Sequence, residues 1–123
     1  MKMINNFTLF VFMLSSYLIA CNSDQTDVGG TCYNTVDLDV LVAFASNSGF
    51  STDYEDVINM WDTQTWNSDR RLTQLICNGC DLKGAIPSEI GNLTQLTSLG
   101  LNSNYLTQIP IEIKTSAILN VNQ

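Results

Sequence analysis

The sequence predicts an α/β fold: a repeat solenoid fragment of about two full coils and the start of a third, with a small helical N-terminal cap. Three observations lead there. One segment matches another 24 positions further on, an amphipathic helical pattern lies just upstream, and short apolar runs alternate with polar residues.

Residues 1–20 read as a signal peptide. Lys2 precedes a mostly apolar stretch from Ile4 to Ala20, which runs into Leu18-Ile19-Ala20-Cys21. A basic start, an apolar middle and a small residue before a cleavage point are the layout of an export signal, so this segment is set aside from the fold. Its 17 residues also lie at the lower limit of what spans a bilayer, and a retained anchor helix is the alternative. Residues 22–31, Asn-Ser-Asp-Gln-Thr-Asp-Val-Gly-Gly-Thr, lack apolar periodicity. Together with Cys21 they are expected to form a flexible tether.

Residues 32–71 are expected to cover the exposed apolar end of the first coil. Leu38, Leu41, Val42 and Ala45 recur at helical spacing, which predicts a helix from about Val36 to Ser48. Asn34 is placed to cap its start, with Asp37 three residues on, and Gly49 to end it. A second, shorter helix should follow the capping-box pattern Thr52-x-x-Glu55, with Val57, Ile58 and Met60 as its apolar surface. Trp66-Asn67-Ser68-Asp69-Arg70-Arg71-Leu72 then reads as strand, polar turn and strand. Trp61 and Trp66 are expected to pack within this cap, since large aromatics mainly supply buried area.

Residues 72–123 carry the repeat. Leu72-x-x-Leu75-x-Cys77-x-x-Cys80-x-Leu82 is followed by Leu96-x-x-Leu99-x-Leu101-x-x-Asn104-x-Leu106, and each continues to an Ile-Pro pair, Ile86-Pro87 and Ile109-Pro110. Leu75 and Cys77, like Leu99 and Leu101, point to one side of a short strand because side chains alternate with period two. Ile76 and Gly100 face the other way. Asn104 should turn inward and hydrogen-bond backbone groups of the next coil, with Cys80 at the equivalent place in the first. Leu82, Ile86, Ile90 and Leu93 would close the coil around the same interior. Ile118-Leu119-Asn120-Val121-Asn122-Gln123 starts like a third strand without a C-terminal cap, which leaves apolar layer residues open to self-association.

This pattern resembles the leucine-rich-repeat family, in its plant-type 24-residue class, also seen in exported bacterial proteins. The resemblance covers residues 72–123 and extends more weakly through the preceding cap. The second coil lacks the Gly before Ile-Pro, Cys replaces Leu or Asn in the first, and the family's Trp-x-Gly-Val signature is absent from the cap. The resemblance implies that the open strand face recognises a protein or a glycan. Carried onto this chain, that face is Gln74, Ile76, Asn78, Ser98, Gly100, Asn102 and Ser103, which alternatively are ordinary solvated strand residues. Neighbouring strands lie about 4.8 Å apart, so two rows fall far short of the roughly 800 Å² per partner of a standard interface. The expected role is therefore the N-terminal part of a longer interaction module. A structural module stacking its open end on another chain is the alternative.

Leu18-Ile19-Ala20-Cys21 resembles the lipobox of bacterial lipoproteins. It implies lipidation of Cys21 and, with Asn22 next, a lipid anchor in the outer membrane or at the cell surface. An ordinary secreted signal is the alternative, although Leu18 at position −3 disfavours it. If Cys21 is lipidated, three thiols remain in an exported chain. They can serve as core packing, as one disulfide from Cys32 to Cys77 or Cys80, or as redox or metal chemistry at Cys77-Asn-Gly-Cys80.

Composition narrows the function. The chain holds twelve acidic residues, all after Cys21, against five basic ones, so no nucleic-acid partner is expected. The acidic stretch up to Asp69 reads as solvated surface, and Asp37-x-Asp39 alone does not make a calcium loop. No histidine is present, which removes the commonest general base and leaves zinc short of ligands. No catalytic residue, metal or cofactor is expected.

Overall fold

The computed structural model describes residues 20–114 and 119–120, so the segment read as an export signal lies outside the described residues apart from Ala20. The chain runs β1 (Gln25–Val28), β2 (Thr31–Asn34), α1 (Thr35–Ser48), α2 (Tyr54–Asn59), β3 (Thr63–Trp66), β4 (Leu72–Ile76) and β5 (Lys83–Ala85). A 3-10 turn at Ser88–Asn92 follows, then β6 (Ser98–Gly100), β7 (Tyr105–Gln108), α3 (Ile111–Lys114) and β8 (Leu119–Asn120). Among the described residues no helix is long and apolar enough to cross a membrane.

Residues expected to be a loose tether form a hairpin instead. β1 and β2 pair antiparallel from Gln25↔Asn34 to Val28↔Thr31. The two linking residues, Gly29 at φ 60° and Gly30 at φ 85°, take the left-handed conformations that a tight two-residue hairpin turn demands. Gly30 N–H donates to Asp27 Oδ1 at 2.8 Å. Cys21 and Cys32 are joined in a disulfide, which ties the hairpin to the chain before it. Val28 and Cys32 are buried, so even this polar segment contributes to a core.

α1 follows the periodic pattern closely. Asn34 accepts the Asp37 N–H at 3.2 Å, and Gly49 ends the helix at φ 77°. The Phe50 N–H then reaches back to the Ala45 carbonyl at 2.9 Å, satisfying a carbonyl the last turn leaves open. Leu38, Val40, Leu41 and Ala45 are fully buried. Burial of each Leu side chain contributes about 1.5–3 kcal/mol, so this face anchors the helix. α2 is shorter than its pattern suggested and starts from Asp53, not from the expected Thr52, and Asp53 makes no side-chain capping bond.

α1 packs against α2, the 3-10 turn, β5 and β2, and the largest sheet has the order β3-β4-β6-β8. β3 pairs antiparallel with β4, while β4–β6 and β6–β8 are parallel. The 24-residue spacing reappears here as the register Gln74↔Ser98, Leu75↔Leu99 and Ile76↔Gly100. Leu72, Leu75, Cys77, Leu82, Ile86, Leu99 and Leu101 share one core with Val40, Phe44, Val57 and Trp61. The Phe44 and Trp61 rings meet edge to face, with centroids 5.6 Å apart.

The architecture corrects the expected solenoid. The described residues form a small mixed α/β domain with three separate open sheets of two, four and two strands, none of them curled or closed. Curvature of a coil stack accumulates from small rotations over many successive repeats, with at least three repeats needed for stability. Among the described residues the 24-residue parallel step is made once, from β4 to β6, and two residues of β8 follow. The antiparallel strand β3 flanks β4 on its other side, and β5–β7 stands as its own parallel pair.

Candidate functional site

Two surfaces are positioned by this fold: the outer face of the four-stranded sheet, and a groove between α1 and the Ile-Pro turns. A buried polar centre fixes how α1 sits against the sheet.

That centre is Asp37, in the first turn of α1 and fully buried. Its carboxylate accepts from Arg71 Nε at 2.9 Å, from Arg71 Nη2 at 2.8 Å and from the Leu72 backbone N–H at 2.7 Å. The hydrogen bond to Asp37 raises the Arg71 pKa above its usual value, the charges of Asp37 and Asp24 add to the rise, and burial partly opposes it. Arg71 also donates to the Asn92 carbonyl at 3.1 Å, so one guanidinium ties the helix, the start of β4 and the 3-10 turn. Asp37 is thus a structural anchor and not part of the solvated acidic surface the sequence suggested. At the other end of α1, Ser48 Oγ accepts the Lys83 N–H at 3.0 Å and Asn47 Nδ2 donates to the Ala85 carbonyl at 2.9 Å. Gly84 lies so close that a Cβ there would sit 3.3 Å from the Asn47 carbonyl oxygen.

The residues expected on an open strand face fall into two groups. Gln74 and Ile76 on β4 sit in register with Ser98 and Gly100 on β6 and with Thr65 and Thr63 on β3. The Ile76 side chain lies across Gly100, where an added Cβ would come within 2.9 Å of Ile76 Cδ1. Thr65 Oγ1 and Gln74 Oε1 are 3.2 Å apart. Asn78, Asn102 and Ser103 lie beyond the strand ends, where Asn78 Oδ1 accepts the Asn102 N–H at 2.9 Å and Ser103 takes φ 57° in the turn. This face is small and flat, with none of the concavity that a long curved stack would supply.

Asn104 performs the inward bonding expected of it, but toward the preceding turn and its own, not the next. Oδ1 accepts the N–H groups of Cys80 and Leu82, each at 3.0 Å. Nδ2 donates to the carbonyls of Cys77 at 2.6 Å, Leu101 at 3.0 Å and Asn102 at 3.2 Å.

The cysteine expectations are revised throughout. Cys77 pairs with Cys80, and Cys32 pairs with Cys21 and with neither of the other two. The β1–β2 hairpin holds Cys32 beside Cys21, whereas Cys77 and Cys80 face each other across one turn. With its sulfur in a disulfide, Cys21 has no thiol left to carry a lipid. This overturns the lipoprotein reading. Cys77 is fully buried, and Cys80 is half-buried against the same core. A carboxylate oxygen of the exposed Asp62 and the two sulfurs lie within 4.8 Å of one another.

The groove was not foreseen from the sequence. It has a volume of about 700 Å³ and is walled by Ala43, Ser46 and Asn47 of α1, by Ala85 to Glu89, and by Gln108, Ile109 and Pro110. Among the described residues, Glu89 is the one ionisable side chain lining it. The repeated Ile-Pro pair is the sequence signal that could have located it, because both pairs line the groove.

No protein-family model matches the chain, and no solved structure matches it. The chain is similar to a probable LRR receptor-like serine/threonine-protein kinase of Arabidopsis thaliana, 43% identical over 51 residues. That alignment covers 35% of this chain and 5% of the relative. So short a match does not place the chain in that protein's family. With neither a curved recognition face nor a family assignment, the expected leucine-rich-repeat interaction module is withdrawn.

Proposed function

We propose that the chain is a non-catalytic binding domain acting outside the cytoplasm, which takes an extended, uncharged segment of a protein partner into the groove beside α1. The observation that carries this reading is the groove itself. Its volume of about 700 Å³ falls within the roughly 300–1,000 Å³ of ordinary ligand sites. Small side chains at Ala43, Ser46, Ala85 and Ser88 leave room for a bound chain, and Pro87 and Pro110 give the rim a fixed shape. Among the described residues the groove holds one carboxylate, Glu89, without a second acid or base beside it. Two disulfides favour an oxidising compartment, in keeping with the export-type N-terminal sequence. The net charge of −7 favours partners with basic flanks and disfavours anionic polymers.

An immobilised library of uncharged peptides, probed with the labelled full chain, tests the groove. Ser46→Arg fills it and is expected to weaken retained peptides at least about tenfold, the scale of losing ~1.4 kcal/mol, while Gln74→Arg, on the sheet, leaves them bound. Retention unchanged in Ser46→Arg would remove the reading.

A further inference from the structure

The Cys77–Cys80 disulfide lies at the edge of the core, with Cys77 inside it and Cys80 packed against it, and has no part in the groove. Its setting has four features. The bond closes a ring across a sequence separation of only 3, against 11 for Cys21–Cys32. Such a short ring restrains the unfolded chain least, so opening it costs the fold least. The turn it spans is also held without it. Asn104 grips the Cys77 carbonyl and the Cys80 and Leu82 N–H groups, and the Gly79 N–H donates to the Asn102 carbonyl at 2.9 Å. Cys80 is half-buried and Cys77 fully buried, so Cys80 is the end of the bond nearer to solvent. Finally, the exposed Asp62 places a carboxylate oxygen within 4.8 Å of both sulfurs.

We propose that Cys77–Cys80 is a thiol-exchange site, opened in the folded protein by an external dithiol that attacks at Cys80, with Asp62 restraining the rate. A thiolate of the reagent attacks Cys80 Sγ. The new sulfur–sulfur bond forms as the Cys80–Cys77 bond breaks, and the electron pair leaves on Cys77 Sγ, which takes up the proton the reagent lost. The second thiol of the reagent then displaces Cys80 from the mixed disulfide. The reagent ends as its cyclic disulfide, oxidised by two electrons, and the chain ends with two thiols.

Asp62 acts against both charges in this step. It repels the arriving thiolate and disfavours negative charge on departing Cys77. A unit charge about 5 Å away in a water-like dielectric changes such a rate about fourfold, and salt reduces the effect. Asp62 is a positioning residue here, not a catalytic one, because it forms no bond to the reacting atoms.

The test incubates the oxidised full chain with dithiothreitol under native conditions, and at intervals transfers samples into iodoacetamide in denaturing urea, so that both released thiols are labelled, for mapping by mass spectrometry. Far-ultraviolet circular dichroism is followed in parallel. The expected result is alkylation of Cys77 and Cys80 while the dichroism is unchanged, about fourfold faster in Asp62→Asn at low salt. At about 1 M salt variant and wild type should converge. Asp62→Ser, which also lacks the charge, repeats the measurement if the first variant folds poorly. Alkylation that appears only as dichroism is lost would overturn the exchange site. Equal rates for wild type and both variants at low salt would overturn the part assigned to Asp62.

Discussion

Replacing Asp37 with Ala is the sharpest test of how the helix is fastened to the sheet. The carboxylate is fully buried and takes three hydrogen bonds, two from Arg71 and one from the Leu72 N–H. Leu72 is itself fully buried, so its N–H would lose its partner with no water at hand. A buried donor left unsatisfied costs about 1–3 kcal/mol. Breaking a buried ion pair costs about 3–5 kcal/mol when the surviving charge stays buried. Arg71 keeps a side-chain exposure of 24% and can turn to solvent, which brings the total toward the lower figure. The expected loss for Asp37→Ala is therefore about 3 kcal/mol. Asp37→Asn keeps an oxygen for the Leu72 N–H and should lose about 2 kcal/mol. Urea unfolding of the oxidised full chain, followed by tryptophan fluorescence, measures both. For a domain of this size ~3 kcal/mol corresponds to a fall of roughly 10–25 °C in Tm. A loss below about 1 kcal/mol in Asp37→Ala would refute the reasoning, since it would mean that the helix end is held by Asn34 and apolar packing alone.

Two further outcomes follow from single side chains. Asn104→Ala removes the partner of two N–H groups and three carbonyls and should cost about 2–4 kcal/mol in the same unfolding assay, whereas a change under 1 kcal/mol would show that water replaces the amide. Tyr54 donates its hydroxyl to Asp39 at 2.9 Å; that bond, then burial, then the Asp39 charge raise its pKa above the usual 10.0. Because the folded value is raised, the stability from the neutral phenol is fully present below pH 10 and is lost as pH climbs through the folded value. Absorbance at about 295 nm, taken as the difference from Tyr54→Phe, should show a midpoint above 10 that falls back toward 10 in Asp39→Asn, and an unmoved midpoint would refute the link.

Much of the local structure was legible in the sequence because its causes are local. Asn34 and Gly49 bracket α1, since one needs only a side-chain oxygen at the first turn and the other only freedom at positive φ. The strand pattern at Leu72-x-x-Leu75 and Leu96-x-x-Leu99 likewise emerged, down to the pairing of Leu75 with Leu99. The hairpin at β1–β2 was missed although Val28-Gly29-Gly30-Thr31 carries a turn signal. Its flanks are polar, and what keeps it ordered is the distant fit of Cys21 to Cys32 and of Val28 to the interior.

What the sequence determined by itself, then, was the extent of α1, the register of the Leu-rich strands with the apolar residues they turn inward, and the acidic, histidine-free character that narrows the chemistry. Tertiary structure alone decided the rest. It set the pairing of four cysteines, because connectivity depends on which Cβ atoms come within reach and not on spacing. It placed Asp37 on Arg71, 34 residues away, turning a residue of apparent acidic surface into the buried joint of the domain. It also decided the shape of the sheets. A repeating pattern specifies how one strand sits on the next, but curvature is the sum of many such steps, and among the described residues the 24-residue step is taken once.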